Sequence, residues 1–314
     1  MDKLSTFTST GIKLIHHPDV LSSLKKGQAK PVSLQVAPTS RCNLNCAFCS
    51  NVNREKHEDL DFESLRSFIF DLIVNGLKTV EITGGGDPTM YKHINQLIEF
   101  CHAHFLEVGM ISNGVLLKEA ISQKNLDKLK WLRVSLNSLE HYGDIDIPNI
   151  KGSLGFSFVV HEGILASISN YTDVLEYYKA KYKPSYIRIV PDCLPNKHEK
   201  EIDRECYSLM LNLEPVSFYQ RKLFKKPAKC YWGYLKPFLL HDGFVYPCSS
   251  VVLNSGSDGT FHERYRLYNM EDFPVVYNNA VASISTKNCD RCVFTNQNNL
   301  VDSIMNPDGM ENFI

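Results

Sequence analysis

The sequence predicts an α/β fold, a parallel sheet with helices outside that closes as a partial barrel, followed by a small hairpin-and-helix unit. Three observations predict it. From residue 31 to 215, segments with period-2 apolar alternation take turns with segments of helical spacing. Polar and glycine-rich clusters follow the strand-like segments, at the carboxyl ends where β/α folds keep their working residues. Near residue 215 the rhythm stops and cysteines become the dominant feature.

The elements follow in order. Residues 1 to 30 are polar and weakly patterned, a lead-in segment too short for a domain. VSLQVAP (32–38) is a period-2 strand that delivers the chain into a cysteine loop. Asp61 is a candidate N-cap for a helix carrying Phe62, Leu65, Phe68, Ile69, Leu72 and Ile73 on one stripe, with Gly76 as its stop. A second strand, KTVEIT, runs into GGGDP, and a second helix carries Ile94, Leu97, Ile98 and Cys101. The strand EVGMISN ends at Gly114, and a helix over 118–129 precedes WLRVSLN, whose alternation places Arg133, Ser135 and Asn137 on one face. Between 138 and 155, Gly143, Pro148 and Gly152 break helical periodicity, so an irregular loop that lowers one wall of the cleft is expected there. GFSFVV and YIRIV then bracket a helix near 172–182, giving about six β/α units. The domains are 1–30 lead-in, 31–215 partial barrel, and 216–314 cysteine-bearing unit and tail, the last anchored by Phe313 and Ile314.

Composition sets bounds. Among 314 residues, 34 basic and 35 acidic side chains argue against a protein coated on nucleic acid. No apolar targeting segment follows Met1 and no stretch reaches the length of a spanning helix, so a soluble, cytoplasmic protein without a membrane partner is expected. Ten cysteines in such a chain suit a reducing compartment in which thiols ligate metal.

Cys42, Cys46 and Cys49 lie in SRCNLNCAFCS. Three thiolates leave one iron of a 4Fe-4S cluster without a protein ligand, and that iron can bind substrate. Zinc would want a fourth ligand close by, and a disulfide framework an even number of cysteines.

Cys-x3-Cys-x2-Cys with Phe48 before the last cysteine resembles the signature of the radical SAM superfamily. The resemblance covers roughly 32–215 and implies an open (β/α)6 barrel, a 4Fe-4S cluster on the three cysteines, S-adenosyl-L-methionine on the open iron, and an external electron donor such as flavodoxin or ferredoxin. The family's chemistry is reductive cleavage of that cofactor to a 5'-deoxyadenosyl radical, which abstracts hydrogen from a substrate. Gly84, Gly85, Gly86 and Asp87 with Pro88 resemble the family's Gly-Gly-Glu-Pro motif, with Asp shorter than the usual Glu. By the same resemblance Ser112 and Asn113 match a Thr-Asn-Gly strand end, Ser135 a position that touches the cofactor, and Arg188 and Val190 the adenine side. Asp192 and Cys193, just past the sixth strand, are candidate catalytic residues.

Cys230, Cys248, Cys289 and Cys292 form a second group, with GFVYPC resembling the hairpin of a twitch or SPASM domain. Spacing alone leaves a zinc ribbon and an iron-sulfur site open. The resemblance upstream favours an auxiliary 4Fe-4S cluster with all four as ligands, hence two clusters in the chain.

The expected activity is hydrogen abstraction from a small polar substrate, with oxidation through the auxiliary cluster as one route. The alternatives are peptide maturation, nucleotide or nucleic-acid modification suggested by the basic run 221–229, and a non-enzymatic zinc-stabilised binding protein. Cys101 is read as core and Cys206 is given no role; His241 and Asp242, beside the hairpin, are minor candidates.

Overall fold

The computed structural model describes residues 3–52, 58–194, 197–254, 262–272, 277 and 279–309. Helix α1 (Lys3–Phe7) and a 3-10 turn (Gly11–His16) lead into α2 (Pro18–Lys25). Strand β1 (Ser33–Val36) is followed by α3 (Phe62–Val74), β2 (Thr79–Ile82), α4 (Ile94–Ala103) and β3 (Glu107–Ser112). Two one-turn helices, α5 (Leu117–Ala120) and α6 (Gln123–Leu126), stand where a single helix over 118–129 was expected. Ile121 adopts an extended conformation between them and is buried, and the chain enters β4 (Leu129–Ser135) at once. Next come β5 (Ser153–Val160), α7 (Ile168–Tyr182), β6 (Tyr186–Pro191), α8 (Glu199–Asn212) and β7 (Ser217–Tyr219). The C-terminal part adds β8 (Phe238–Leu239), β9 (Phe244–Tyr246), β10 (Tyr268–Asn269) and α9 (Thr295–Met305).

Among the described residues the ten strands form one sheet in the order β10-β9-β8-β1-β2-β3-β4-β5-β6-β7. β1 to β7 are parallel, β8 joins β1 in parallel, and β9 and β10 return antiparallel. The sheet is open, so the barrel is partial. Its outer face is the core: Leu34, Val36, Val80, Ile82, Val108, Met110, Leu132, Val134, Phe156, Phe158, Ile187 and Ile189 are buried together with the apolar stripes of the helices. Alternation then sends Glu81, Arg133, Ser135, Ser157, Arg188 and Val190 to the concave side.

Local signals behave as their chemistry demands. The Asp61 carboxylate accepts from the Ser64 amide at 2.9 Å and starts α3. Gly76 takes φ +110 just after the helix, a conformation costly for any residue with a Cβ. β4 ends at Ser135, so Asn137 lies in a 3-10 turn (Leu136–Glu140) instead of on the strand. Its amide there brackets Val159 of β5, accepting from the Val159 N–H at 2.7 Å and donating to its carbonyl at 2.9 Å. Residues 141–152 are irregular, and Tyr178 tethers them by accepting from the Ile145 N–H at 2.9 Å. Cys206 is fully buried on the Ile202–Cys206–Leu209 stripe of α8, a helix that its charged sequence hid.

Residues 3 to 30 are folded in. Leu14, Val20 and Leu24 pack with Tyr231, Trp232, Leu235, Cys292, Phe294 and Val301. Phe7 stacks on Tyr186 at 4.1 Å and its carbonyl accepts from Arg133 at 2.7 Å, closing the amino-terminal end of the barrel. Phe313 and Ile314, expected to anchor the tail, lie outside the described residues. Among the described residues no helix is long and apolar enough to cross a membrane.

Candidate active site

The cysteine loop leaves β1 and is pinned at its start. Thr39 donates to Asp59 at 2.6 Å, and Arg41 forms an ion pair with the same carboxylate while donating to the Met90 carbonyl at 2.8 Å. Cys42, Cys46 and Cys49 follow, each half-buried. Burial, then the neighbouring Cys49 and Cys42 and the Glu140 carboxylate, push the Cys46 thiol up to about 11. That shift belongs to the metal-free loop, since a thiol that coordinates a metal is deprotonated outright. Among the described residues no three His, Cys, Asp or Glu side chains converge on one metal ion. The chemistry of the donor set, three free thiols on one short loop, is that of an iron-sulfur site.

Next to this loop runs the Gly84–Asp87 turn after β2. The Gly86 N–H donates to the Thr39 carbonyl and the Asp87 N–H to the Arg41 carbonyl, both at 2.8 Å. A Cβ on Gly86 would lie 1.8 Å from the Arg41 carbonyl oxygen, and one on Gly85 would lie 2.4 Å from the His241 ring. The glycines therefore let two loops lie backbone to backbone. Asp87 is buried and points into the protein: its carboxylate accepts from Thr89 N–H (3.0 Å), Ser112 Oγ (3.1 Å) and Asn113 N–H (2.6 Å). It fixes the β3 end. Asn113 in turn donates to Asn43 Oδ1 at 2.6 Å and lies 3.9 Å from Cys42 Sγ, so the Ser112–Asn113 pair adjoins the cysteine loop.

On the other flank, Phe48 packs against His161 with ring centroids 4.7 Å apart. His161 Nε2 is 3.0 Å from Glu140 Oε2, and His141 Nε2 is 3.7 Å from Cys46 Sγ. Asp192 hydrogen-bonds through its N–H to the Val160 carbonyl, one residue before His161, and burial holds its carboxyl above the ordinary value. Ser135 pairs with Ser157, and Ser157 with Arg188, across three adjacent strands, while Val190 is buried one alternation further along β6. The Cys193 carbonyl accepts from Arg291 at 2.7 Å. Arg291 lies between Cys289 and Cys292, so the β6 end is tied directly to the second cysteine group.

Below the strand ends the concave face is cationic. Lys236 pairs with Glu81 at 2.9 Å; burial works to raise the Glu81 carboxyl, and the ammonium overrides it and keeps the carboxyl low. Lys13 bonds the Thr6 and Thr8 carbonyls, and Arg133 bonds Phe7 O and Tyr186 Oη. Arg188 donates to Gln220 Oε1 at 2.5 Å. Burial and then Arg133 bring Arg188 down to about 9, and burial and then Arg188 bring Lys222 down to about 8.

In the second group, Cys230, Cys248, Cys289 and Cys292 line one small apolar cavity of about 20 Å³ with Pro227, Pro247 and Val251. Burial raises all four thiols, Cys230 to about 12. β8 and β9 form the hairpin there, turning at Gly243 with φ +80. His241, at that turn, pairs through Nδ1 with Glu58 at 2.7 Å, and Asp242 accepts from Tyr246 at 2.6 Å.

Sequence reasoning missed Glu140, His161, Lys222 and Glu81. His161 directly follows GFSFVV, so the strand-end rule contained that signal; Lys222 stood in the basic run 221–229, whose pattern suggests a nucleotide substrate but singles out no one residue. That run divides in the structure. Arg221, Lys226 and Lys229 pair with Asp203, Asp290 and Asp302, whereas Lys222 turns inward.

The model of the radical SAM superfamily matches residues 36–203, more than half of the chain, and the chain belongs to that superfamily. It is therefore an enzyme family member whose chemistry uses a 4Fe-4S cluster and S-adenosyl-L-methionine. Relatives include proteins named GTP 3',8-cyclase from Helicobacter pylori. One (strain HPAG1) is 27% identical over 53% of this chain and 57% of its own length, and another (strain ATCC 700392 / 26695) is 25% identical over 68% and 70%. Thus the chain spans little more than half of the first of these. Among solved structures, Streptococcus suis SuiB bound to S-adenosylmethionine superposes with TM-score 0.55 at 16% identity, over 79% of this chain and 69% of that one. Native anSMEcpe, with AdoMet and a peptide, gives 0.53 at 17%, over 88% and 83%. These likenesses show the fold.

Proposed function

We propose that the chain is a two-cluster radical SAM enzyme that removes hydrogen from a small polar substrate held on the concave face of the sheet and oxidises it. Cys42, Cys46 and Cys49 would hold the cluster that binds S-adenosyl-L-methionine, with Phe48, the Gly84–Gly86 backbone, Ser112, Asn113, Ser135 and Val190 around that cofactor. Cys230, Cys248, Cys289 and Cys292 would hold the second. When bound, these groups supply a 5'-deoxyadenosyl radical and an electron acceptor. Asp87 positions Ser112 and Asn113, and the glycine backbone lets the cofactor approach. His161, oriented by Glu140 and packed on Phe48, and Asp192 stand at adjacent strand ends, and either side chain would hold a proton leaving a substrate O–H.

The observation that carries the two-cluster reading is that all four late cysteines line one apolar cavity, with Arg291 joining it to the β6 end. A nucleotide substrate is the second reading, supported by the GTP 3',8-cyclase name of the relatives. Iron analysis, electron paramagnetic resonance and turnover of anaerobically purified protein test the proposal. Two 4Fe-4S signals and one oxidised product per 5'-deoxyadenosine support it. Zinc without cofactor cleavage defeats it, and a rearranged, unoxidised product defeats the oxidative part.

A further inference from the structure

The cations on the concave face have no role in that reading, and their hydrogen bonds divide them into two levels. At the closed end, Lys13, Lys236 and Arg133 are satisfied by Thr6, Thr8 and Phe7 carbonyls, Ser9 and Glu81. Arg133 stands level with Gly155 and Tyr186, whereas Arg188 stands one alternation nearer the strand ends, level with Ser157 and Ser135. Arg188 has only a neutral partner, Gln220, and Lys222 has no hydrogen bond or ion pair with any described residue. Lys222 is half-buried between the exposed Arg221 and Leu223.

Cations that share one face of the sheet and lose hydration there cost stability unless an anion completes them. The Cys193 thiol acts on both Arg188 and Lys222, and Glu81, the carboxylate acting on Arg188, is already committed to Lys236. Phe218 and Gln220 precede Lys222 at alternate positions, and Phe218 faces Tyr186 across the concave side at 5.9 Å, so this stretch lines the same space. We infer that Arg188 and Lys222 form an anion subsite of the substrate pocket, taking a phosphate or carboxylate group of the substrate. The guanidinium offers a planar fork to two oxygens, and the ammonium adds a point charge from β7's extension. This rests on the reading that substrate occupies the concave face, and it moves Arg188 from the cofactor to the substrate.

The test is calorimetric titration of full-length, cluster-reconstituted protein with pyrophosphate and, separately, malonate. Wild type is expected to bind at least one of them saturably; tighter pyrophosphate assigns a phosphate, tighter malonate a carboxylate. Lys222→Gln should weaken that binding by about tenfold, the loss of one charge-assisted contact, and Lys222→Arg should restore it. S-adenosyl-L-methionine affinity, titrated on the same samples, should stay unchanged. Absence of saturable anion binding to wild type, binding to Lys222→Gln equal to wild type, or a parallel loss of cofactor affinity overturns the inference. Failure of the radical reading would show instead as absent cofactor cleavage in wild type, which these titrations do not measure.

Discussion

Lys222 and Asp87 show how much a single buried charge decides. Lys222 is held down to about 8 by burial and by Arg188. Only its ammonium form attracts an anion, so affinity should fall as pH rises through about 8. With sulfate, whose charge is constant, roughly a fourfold loss is expected between pH 7 and 8.5, and Lys222→Arg should flatten the profile. The sign for folding runs the other way: between about 8 and 10.5 the unfolded chain binds the extra proton, so this lysine's contribution to stability improves as pH rises. Asp87 is the opposite case, a buried carboxylate fully used. Asp87→Ala leaves the Asn113 N–H, the Ser112 hydroxyl and the Thr89 N–H without their acceptor, and urea unfolding should show a loss of roughly 2–4 kcal/mol. The sequence places this aspartate in a cofactor motif; its shorter side chain and inward direction make it a positioning residue.

At the scale of elements, the β/α strands and the two long helices after β1 and β2 were legible because burial on one face imposes a period. Asp61, Gly76 and the stripe from Leu65 to Leu72 carry that information locally. The failures have equally local causes. The 118–129 segment contains enough apolar residues for a helix, but Ile121 is needed in the core in an extended conformation, which splits it. α8 was invisible because Glu199, Lys200, Glu201, Asp203 and Arg204 dilute a stripe of Ile202, Cys206 and Leu209. Loop contacts between distant segments left a trace only as glycines. Gly86 is the strongest such trace, since a Cβ there would lie 1.8 Å from the Arg41 carbonyl oxygen and neither backbone can yield. Gly86→Ala should therefore displace the cysteine loop, costing more than roughly 2 kcal/mol and lowering iron incorporation. Iron content beside a denaturation midpoint checks both effects.

The molecule as a whole is more continuous than its sequence suggests. The change of rhythm at 215 marks a boundary in pattern, yet β8 joins β1 in parallel and extends the same sheet through both cysteine groups. Lys236, from the C-terminal part, neutralises Glu81 of β2, and α2 from the lead-in packs against the cluster that contains Trp232 and Val301. Paired backbone, a buried ion pair and shared apolar surface should make these parts unfold together. The chain carries two tryptophans, one on each side of the boundary. Trp131 packs by Arg133 inside the barrel at 5.5 Å, and Trp232 stacks on Phe294 at 5.7 Å in the C-terminal part. Trp131→Phe and Trp232→Phe therefore leave one fluorescent reporter each. Their urea transitions, each referred to the far-ultraviolet circular dichroism of the same variant, should coincide with it in midpoint and slope. A C-terminal reporter that melts well before the helical signal would instead mean that the seam between β1 and β8 is weak and that the barrel stands without its neighbour.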